Sequence, residues 1–192
     1  IRSTTRGTAV FGQPNGAIKC AGAPQKIAYL ACDYWRRHGV LKDIDVHLVL
    51  PTPGMFGVPE FAQILERVVE RYGITVHFSS EVVEVDADAR EAVVRSLTAD
   101  TKDRLPYDVM HLVPPQSAPD WIRTGSLADP ANPAGYVEVD KHTLQHVRYP
   151  NIFALGDASN TPNSKTGAAV RHQAPVLVDN LMAHEAGRPL TG

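Results

Sequence analysis

Asp45-Val46-His47-Leu48-Val49-Leu50 is followed by the loop Pro51-Thr52-Pro53-Gly54-Met55-Phe56-Gly57, and then by Phe61, Ile64, Leu65, Val68 and Tyr72 at helical spacing. The first run reads as a strand. The second reads as an amphipathic helix stopped by Gly73. Ile74, Val76 and Phe78 then alternate as another strand. Strand, helix and strand of these lengths make a βαβ unit, so the fold class is α/β with a parallel sheet. The loop after the first strand lies at the carboxyl end of that sheet, where ligands bind in such folds. Met55 and Phe56 on this loop suit either a pocket wall or burial beneath it. Glu60, Glu66, Arg67, Glu70 and Arg71 give the helix a solvated outer face.

Upstream, Thr8-Ala9-Val10-Phe11 is a short apolar run before the turn Gly12-Gln13-Pro14-Asn15-Gly16. Pro24 suits the first position of a helix whose apolar positions are Ile27, Leu30, Ala31 and Tyr34, closed by Gly39. Cys20 lies just before that helix with Lys19 beside it; helix dipole and lysine charge both favour a thiolate there. The alternative is a small residue in a tight turn. Cys32, on the helix itself, reads as packing.

Downstream, the pattern becomes antiparallel. Glu81 to Asp86 and Ala92 to Arg95 flank a turn, and Asp108 to Val113 resumes a buried strand ended by Pro114-Pro115. A domain crossing is expected between 113 and 119, with a short helix near Asp120-Trp121-Ile122 and a strand at Tyr136 to Asp140. Ile152-Phe153-Ala154-Leu155 reads as a buried strand ended by Gly156-Asp157. The last helix spans about Gly167 to Ala186, with a buried stripe of Val170, Ala174, Leu177, Val178 and Leu181. Pro175 removes a donor within it and should kink it or displace a turn. A strand that stops at an aspartate facing a helix start can hold the hydroxyls of a sugar alcohol, and the helix N-terminus suits a pyrophosphate or flavin carbonyl. Asp157 as a helix cap is the plainer reading.

Composition narrows the function. The chain has 192 residues, 43% of them hydrophobic, and a net charge of -2, which gives no reason to expect nucleic acid or anionic lipid as a partner. No apolar run is long enough to span a membrane. Two cysteines do not make a secreted disulfide framework, so a reducing, cytoplasmic setting is expected. The chain opens on Ile1, which suggests an excerpt of a longer protein. His142 and His146 have the i, i+4 spacing of metal ligands, but with no third ligand evident no metal is expected.

Several motifs together resemble one family. Lys19-Cys20-Ala21-Gly22-Ala23-Pro24-Gln25-Lys26, Phe56-Gly57-Val58, Val139-Asp140-Lys141, Thr143-Leu144-Gln145-His146, Tyr149-Pro150-Asn151 and Ser164-Lys165-Thr166 are similar, in the same order, to mitochondrial-type sulfide:quinone oxidoreductases. These are flavoproteins with two dinucleotide-binding domains. The resemblance implies a Rossmann-like, NAD(P)-binding-like inserted domain over 7–112 and the C-terminal half of an FAD-binding domain over 113–192. It implies Cys20 as a redox cysteine, Gly156 and Asp157 as cofactor-binding residues, with Asp157 accepting from a ribityl hydroxyl, and Lys165 as a lysine beside the flavin ring. An exposed lysine at a loop–helix junction is the alternative for Lys165.

The resemblance further implies FAD as cofactor, sulfide or a small thiol as substrate and quinone as acceptor. It also implies peripheral contact with the inner membrane through a tail outside this stretch. No G-x-G-x-x-G phosphate loop occurs here, so weak or absent FAD binding is expected of this stretch by itself. The family's second redox cysteine follows Gly-Asp directly, and this chain has Ala158 there. Thiol–disulfide exchange needs two sulfurs. The second sulfur then lies outside this stretch, or is Cys32 if its Cα comes within about 7 Å of that of Cys20, or Cys20 works as a single thiol with a small-molecule acceptor, or sulfide is no longer the substrate. Two other readings stand beside the first: an NAD(P)H-dependent flavoprotein reductase, and a non-catalytic scaffold. Half of an FAD domain exposes strand edges and apolar surface, so a homo-oligomer is expected.

Overall fold

The computed structural model describes residues 1–16 and 18–192. The chain divides into two compact units. The first comprises Ile1–Gly16 and Gly22–Pro115. The second takes the short segment ending at Ala21 together with Gln116–Gly192.

The first unit is built on strands β1 (Gly7–Gly12), β2 (Ile44–Val49), β3 (Thr75–His77) and β7 (Val109–Leu112), in the order β3-β2-β1-β7, all parallel. Helices α1 (Ala23–Arg37) and α2 (Pro59–Tyr72) make the crossovers. Between β3 and β7 the chain forms an antiparallel meander, β4 (Ser80–Asp86), β5 (Glu91–Ser96) and β6 (Lys102–Pro106). The weak-looking run at Ala9-Val10-Phe11 is the sheet's centre because both its faces are covered. Ala9 and Phe11 pack with Ala28, Ala31 and Trp35 of α1, while Val10 and Val49 pack against Val94 of the meander. Period-two alternation thus assigns one face to helices and the other to the meander.

Three expectations are corrected in this unit. The buried face of α1 is Ala28, Ala31, Cys32 and Trp35, whereas Leu30 is exposed and Ile27 and Tyr34 are half-buried. Small alanines let the helix backbone approach the sheet, and Trp35 fills the remaining space. Strand β6 was not anticipated; its charged residues hide the pattern, and a cross-strand pair between Arg104 and Glu91 (2.8 Å) helps hold it to β5. On α2, Phe61 and Ile64 are exposed, and with Phe56 and Leu65 they line an apolar cavity of about 300 Å³. Met55 is buried beneath the loop, where its carbonyl accepts from Gln25 Nε2 at 2.6 Å.

The second unit holds α3 (Asp120–Arg123) and α4 (Gly167–Glu185) among irregular segments. Residues 136–140 and 152–155 do not form continuous strands. They make isolated bridges, Val137 with Ala128 and Ser159, Val139 with His146, and Gln145 with Phe153. Side chains complete the backbone bonding; Asn160 Oδ1, for example, accepts from the Val139 amide at 3.0 Å. Residues 152–155 are half-buried rather than buried. The stripe expected on α4 is also corrected: Val178 and Leu181 are exposed, and the buried residues are Asn180 and Ala183. Asn180 reaches Thr143 and Thr191 with its amide (3.0 and 2.6 Å to the carbonyls), tying the chain's last residues to α4. The helix runs unbroken past Pro175. Among the described residues no helix is long and apolar enough to cross a membrane.

Candidate functional site

The four residues singled out from the sequence all lie in the second unit. Gly156–Ala158 form a single 3₁₀ turn after the extended run ending at Leu155. Gly156 has φ +60°, and a Cβ there would lie 2.6 Å from Val170 Cγ2 of α4. Only glycine lets the turn lie this close to the helix. The Gly156 amide donates to Gln173 Oε1 (2.9 Å), and its carbonyl accepts from Ser159 Oγ (3.1 Å). Thr166 caps α4 by accepting from the Ala169 amide (3.1 Å). The tight approach leaves the Asp157 side chain about half exposed at the mouth of the turn, 3.6 Å from Lys19 Nζ.

Lys19 and Cys20 run beside Lys165 as a short strap. Lys19 bridges Lys165 in parallel, and the Cys20 amide donates to the Lys165 carbonyl at 2.8 Å. Lys19's own amide donates to Gln116 Oε1 at 2.6 Å. Cys20 is exposed and has φ +55°, a left-handed conformation that costs a side chain energy. Strain of this kind persists only where surroundings over-determine it, and the two flanking amide bonds supply that constraint.

Lys165 is buried, not exposed. Its ammonium donates to the Ser159 carbonyl and lies 4.5 Å from the centre of the Tyr136 ring. Burial holds the Lys165 pKa below the ordinary lysine range; Asp157 partly offsets this and the charge of Lys19 adds to it. Tyr136 is raised by burial and then by Asp157, and its hydroxyl has no hydrogen-bond partner. Sequence reasoning missed Tyr136, Ser159 and Gln173, because nothing in their spacing relates them to Lys165 or Gly156.

Ala158 occupies the position after Gly156-Asp157 and offers only its carbonyl, which accepts from the Val137 amide at 2.8 Å. Cys32 belongs to the first unit. It is fully buried in the core, and burial pushes its thiol up to about 12, so it is a packing residue. His146 is buried; Nε2 bonds the Leu127 carbonyl (3.1 Å) and Nδ1 accepts from the Arg148 amide (2.9 Å), so neither nitrogen is free for a metal. Among the described residues no group of three or more His, Cys, Asp or Glu could hold a metal ion.

A parallel sheet with helical crossovers in one unit, and in the other a Gly-Asp turn packed on a helix, define a protein of the α/β, Rossmann-like class. The sequence pattern of the family "Pyridine nucleotide-disulphide oxidoreductase" matches residues 16–174, and the chain belongs to that family. The chain is 42% identical over 95% of its length to the mitochondrial sulfide:quinone oxidoreductase of Dictyostelium discoideum, covering 39% of that protein. It is also 42% identical over all of its length to the Schizosaccharomyces pombe protein of the same name, covering 41%. The chain therefore spans about two fifths of the length of these curated relatives. Among solved structures it resembles the sulfide:quinone oxidoreductase of Aquifex aeolicus, with a TM-score of 0.76 and 16% identity over 95% of this chain and 44% of that one. That likeness bears on the α/β Rossmann-like fold.

The chemistry of this donor set suits a flavin. Asp157 has an accessible carboxylate, Gly156 leaves room for no side chain, and Lys165 and Tyr136 present buried polar groups. No Gly-rich phosphate loop stands in the sequence to hold the pyrophosphate.

Proposed function

We propose that the chain is part of an FAD-dependent oxidoreductase that oxidises sulfide, or a related small thiol, through Cys20, with quinone as the final acceptor. The inserted nucleotide-domain part is 7–112 and the FAD-domain part 113–192. The observation that carries the reading is the bond of the Cys20 amide to the Lys165 carbonyl, which joins the cysteine strap to the segment after Gly156-Asp157. When bound, FAD supplies the two-electron oxidant. Asp157 would hold a ribityl hydroxyl as its hydrogen-bond acceptor, and Lys165 would present positive charge to the ring. Cys20–S⁻ and HS⁻ would give Cys20–S–SH, one S–S bond forming as two electrons leave for the bound flavin, so that Cys20 carries the sulfur as a persulfide. With Ala158 after the turn and Cys32 buried, no second thiol of the described residues resolves it. A small thiolate then attacks the outer sulfur: Cys20–S–SH and RS⁻ give Cys20–S⁻ and RS–SH, one S–S bond breaking as another forms.

The test uses the complete flavoprotein without oxygen. Sulfide and NADH are added separately and the flavin absorbance is followed. Rapid bleaching by sulfide, lost in Cys20→Ser, is expected. Bleaching by NADH alone would replace this reading with an NAD(P)H-dependent reductase, and bleaching by neither would leave the scaffold. We further infer that copies of the chain self-associate, because Val178, Leu181 and Met182 form an exposed apolar face on α4. A concentration-independent monomer in sedimentation would exclude that.

A further inference from the structure

Gly156, Ser159, Thr161 and Gln173 close a circuit of hydrogen bonds that begins and ends on Gly156. The Gly156 amide donates to Gln173 Oε1 at 2.9 Å. Gln173 Nε2 donates to Asn163 Oδ1 at 3.0 Å and, at 3.4 Å, to Thr161 Oγ1. Thr161 Oγ1 lies 2.9 Å from Ser159 Oγ, and Ser159 Oγ donates to the Gly156 carbonyl at 3.1 Å. Each direction is forced. A backbone N–H can only donate, so the oxygen of the Gln173 amide faces Gly156. Ser159 spends its proton on Gly156, so the Thr161 hydroxyl donates to Ser159 and its oxygen is left to accept from Gln173. Asn163 spends its own amide on the Ser164 carbonyl, so it too presents an oxygen to Gln173. Gly156, Ser159 and Thr161 are buried, so bulk water does not readily replace a bond lost here.

The consequence lies at Asp157. Its carboxylate is about half exposed, and an ion pair with Lys19 at 3.6 Å holds it only weakly. Its direction is therefore set by the backbone. The preceding residue is Gly156, at φ +60°, and a glycine has more conformations to escape into than any other residue. The circuit removes that freedom by holding the Gly156 amide and carbonyl together.

We propose that Gln173 is a positioning residue: its side-chain amide locks the Gly156–Asp157 turn and so pre-orders the Asp157 carboxylate for FAD. A carboxylate already held in place loses less freedom when the cofactor arrives. The proposal rests on the flavin reading above and adds to it a residue that acts through the turn.

The experiment uses the complete flavoprotein and follows FAD release on dilution by the absorbance of the retained flavin, far below the melting temperature. Gln173→Leu, which keeps the bulk and removes the amide, is expected to release FAD about tenfold more readily, the worth of one hydrogen bond. Gln173→Glu is the sharper change. Its carboxylate still accepts from the Gly156 amide but sets a negative oxygen against Asn163 Oδ1, so at pH 8 it should release FAD as Gln173→Leu does. Once protonated, the acid donates to Asn163 Oδ1 while its carbonyl accepts from Gly156, so at pH 5 retention should return to the parent's. Asp157, Lys19 and Lys165 are the charged neighbours of the turn, and Arg171 and His172 adjoin Gln173 on α4. Each value is therefore referred to the parent at the same pH. A purely structural Gln173 would lower the melting temperature and leave FAD release unchanged. Unchanged release in Gln173→Leu, or release from Gln173→Glu that does not differ between pH 8 and pH 5, would each overturn the assignment. The two readings fail separately. If Asp157→Ala releases FAD faster and Gln173→Leu does not, the assignment of Gln173 falls and the flavin reading stands. If Asp157→Ala retains FAD like the parent while amide exchange at Gly156 quickens in flavin-free Gln173→Leu, the circuit holds the turn but the turn does not serve FAD, and the flavin reading falls with the proposal.

Discussion

The Lys165 carbonyl accepts the Cys20 amide at 2.8 Å, so one residue fixes the cysteine strap with its backbone while its side chain reaches the Ser159 carbonyl. The strap therefore stays in place when the Lys165 side chain is changed. Lys165→Met keeps the backbone bond and most of the stem, and it removes a buried cation. The fold and the accessibility of Cys20 should survive this substitution. Alkylation with iodoacetamide followed by mass spectrometry is expected to find Cys20 modified as completely as in the parent chain. A protected Cys20 would mean that the ammonium, and not the backbone, positions the strap.

The two thiols should separate by burial. Cys20 is exposed, whereas Cys32 is fully buried and its thiol is pushed up to about 12 by desolvation. Titration of the native chain with a disulfide reagent at neutral pH is expected to consume about one equivalent quickly, and a second only in denaturant. Cys20→Ser should abolish the fast phase, and Cys32→Ala should leave it intact.

Gly156 accepts no side chain at reasonable cost. Its φ of +60° disfavours every L-residue, and a Cβ would press within 2.6 Å of Val170 Cγ2. Gly156→Ala is expected to destabilise the chain by about 2 kcal/mol, a fall of roughly 4–8 °C in melting temperature. Adding Val170→Ala should recover the contact part of that loss and not the backbone part. Full recovery in the double variant would show that the backbone conformation costs nothing.

Asp157 is argued to serve a ligand, so its removal should affect binding and not folding. Its side chain is about half exposed and, among the described residues, its ion-pair partner is Lys19 at 3.6 Å, a geometry that contributes little in water. In the complete flavoprotein, Asp157→Ala is expected to lose FAD about tenfold more readily on dilution, with an unchanged melting temperature for the ligand-free protein. Absorbance of the retained flavin measures the first and thermal denaturation the second. Equal FAD retention in the variant would leave Asp157 as an exposed partner of Lys19 only.

The sequence made the βαβ unit legible because alternation at residues 45–50 and helical spacing at 61–72 carry clear and different periods. It did not reveal which face of α1 is buried, since Ala28 and Ala31 carry little hydrophobic signal and owe their burial to backbone proximity. Strand β6 was invisible because Lys102, Asp103 and Arg104 obscure its alternation. At the site, Gly156, Asp157 and Cys20 stood out through local motifs. The burial of Lys165 did not, because it depends on Tyr136, which the chain brings in from a distant segment. On α4 the periodicity of Val178 and Leu181 was real, yet those side chains face solvent and the buried position is polar Asn180. Apolar spacing marks a face that could be buried, and tertiary packing decides which face is.

The first unit carries a pH dependence of its own. Asp45 Oδ2 bonds His47 Nε2 at 2.9 Å, and His47 Nδ1 bonds His77 Nε2 at 2.9 Å, linking neighbouring strands β2 and β3. In the neutral pair His47 donates to Asp45 and accepts from His77. A proton on both rings would set two N–H groups against each other across the same 2.9 Å. Burial first, then the charge of His47, hold the His77 pKa below the ordinary imidazole value; Asp103 and Asp45 oppose this without reversing it. The folded state thus binds a proton at His77 less readily than the unfolded chain does. Stability from this group is fully present above the unfolded value of about 6.5 and is lost as pH falls through the lower folded value. Urea denaturation between pH 8 and pH 5 is expected to show stability declining below about 6.5. His77→Gln should flatten the part of that decline that His77 contributes. A slope unaltered by His77→Gln would place the pH dependence elsewhere and leave the histidine pair as a purely structural link between the strands.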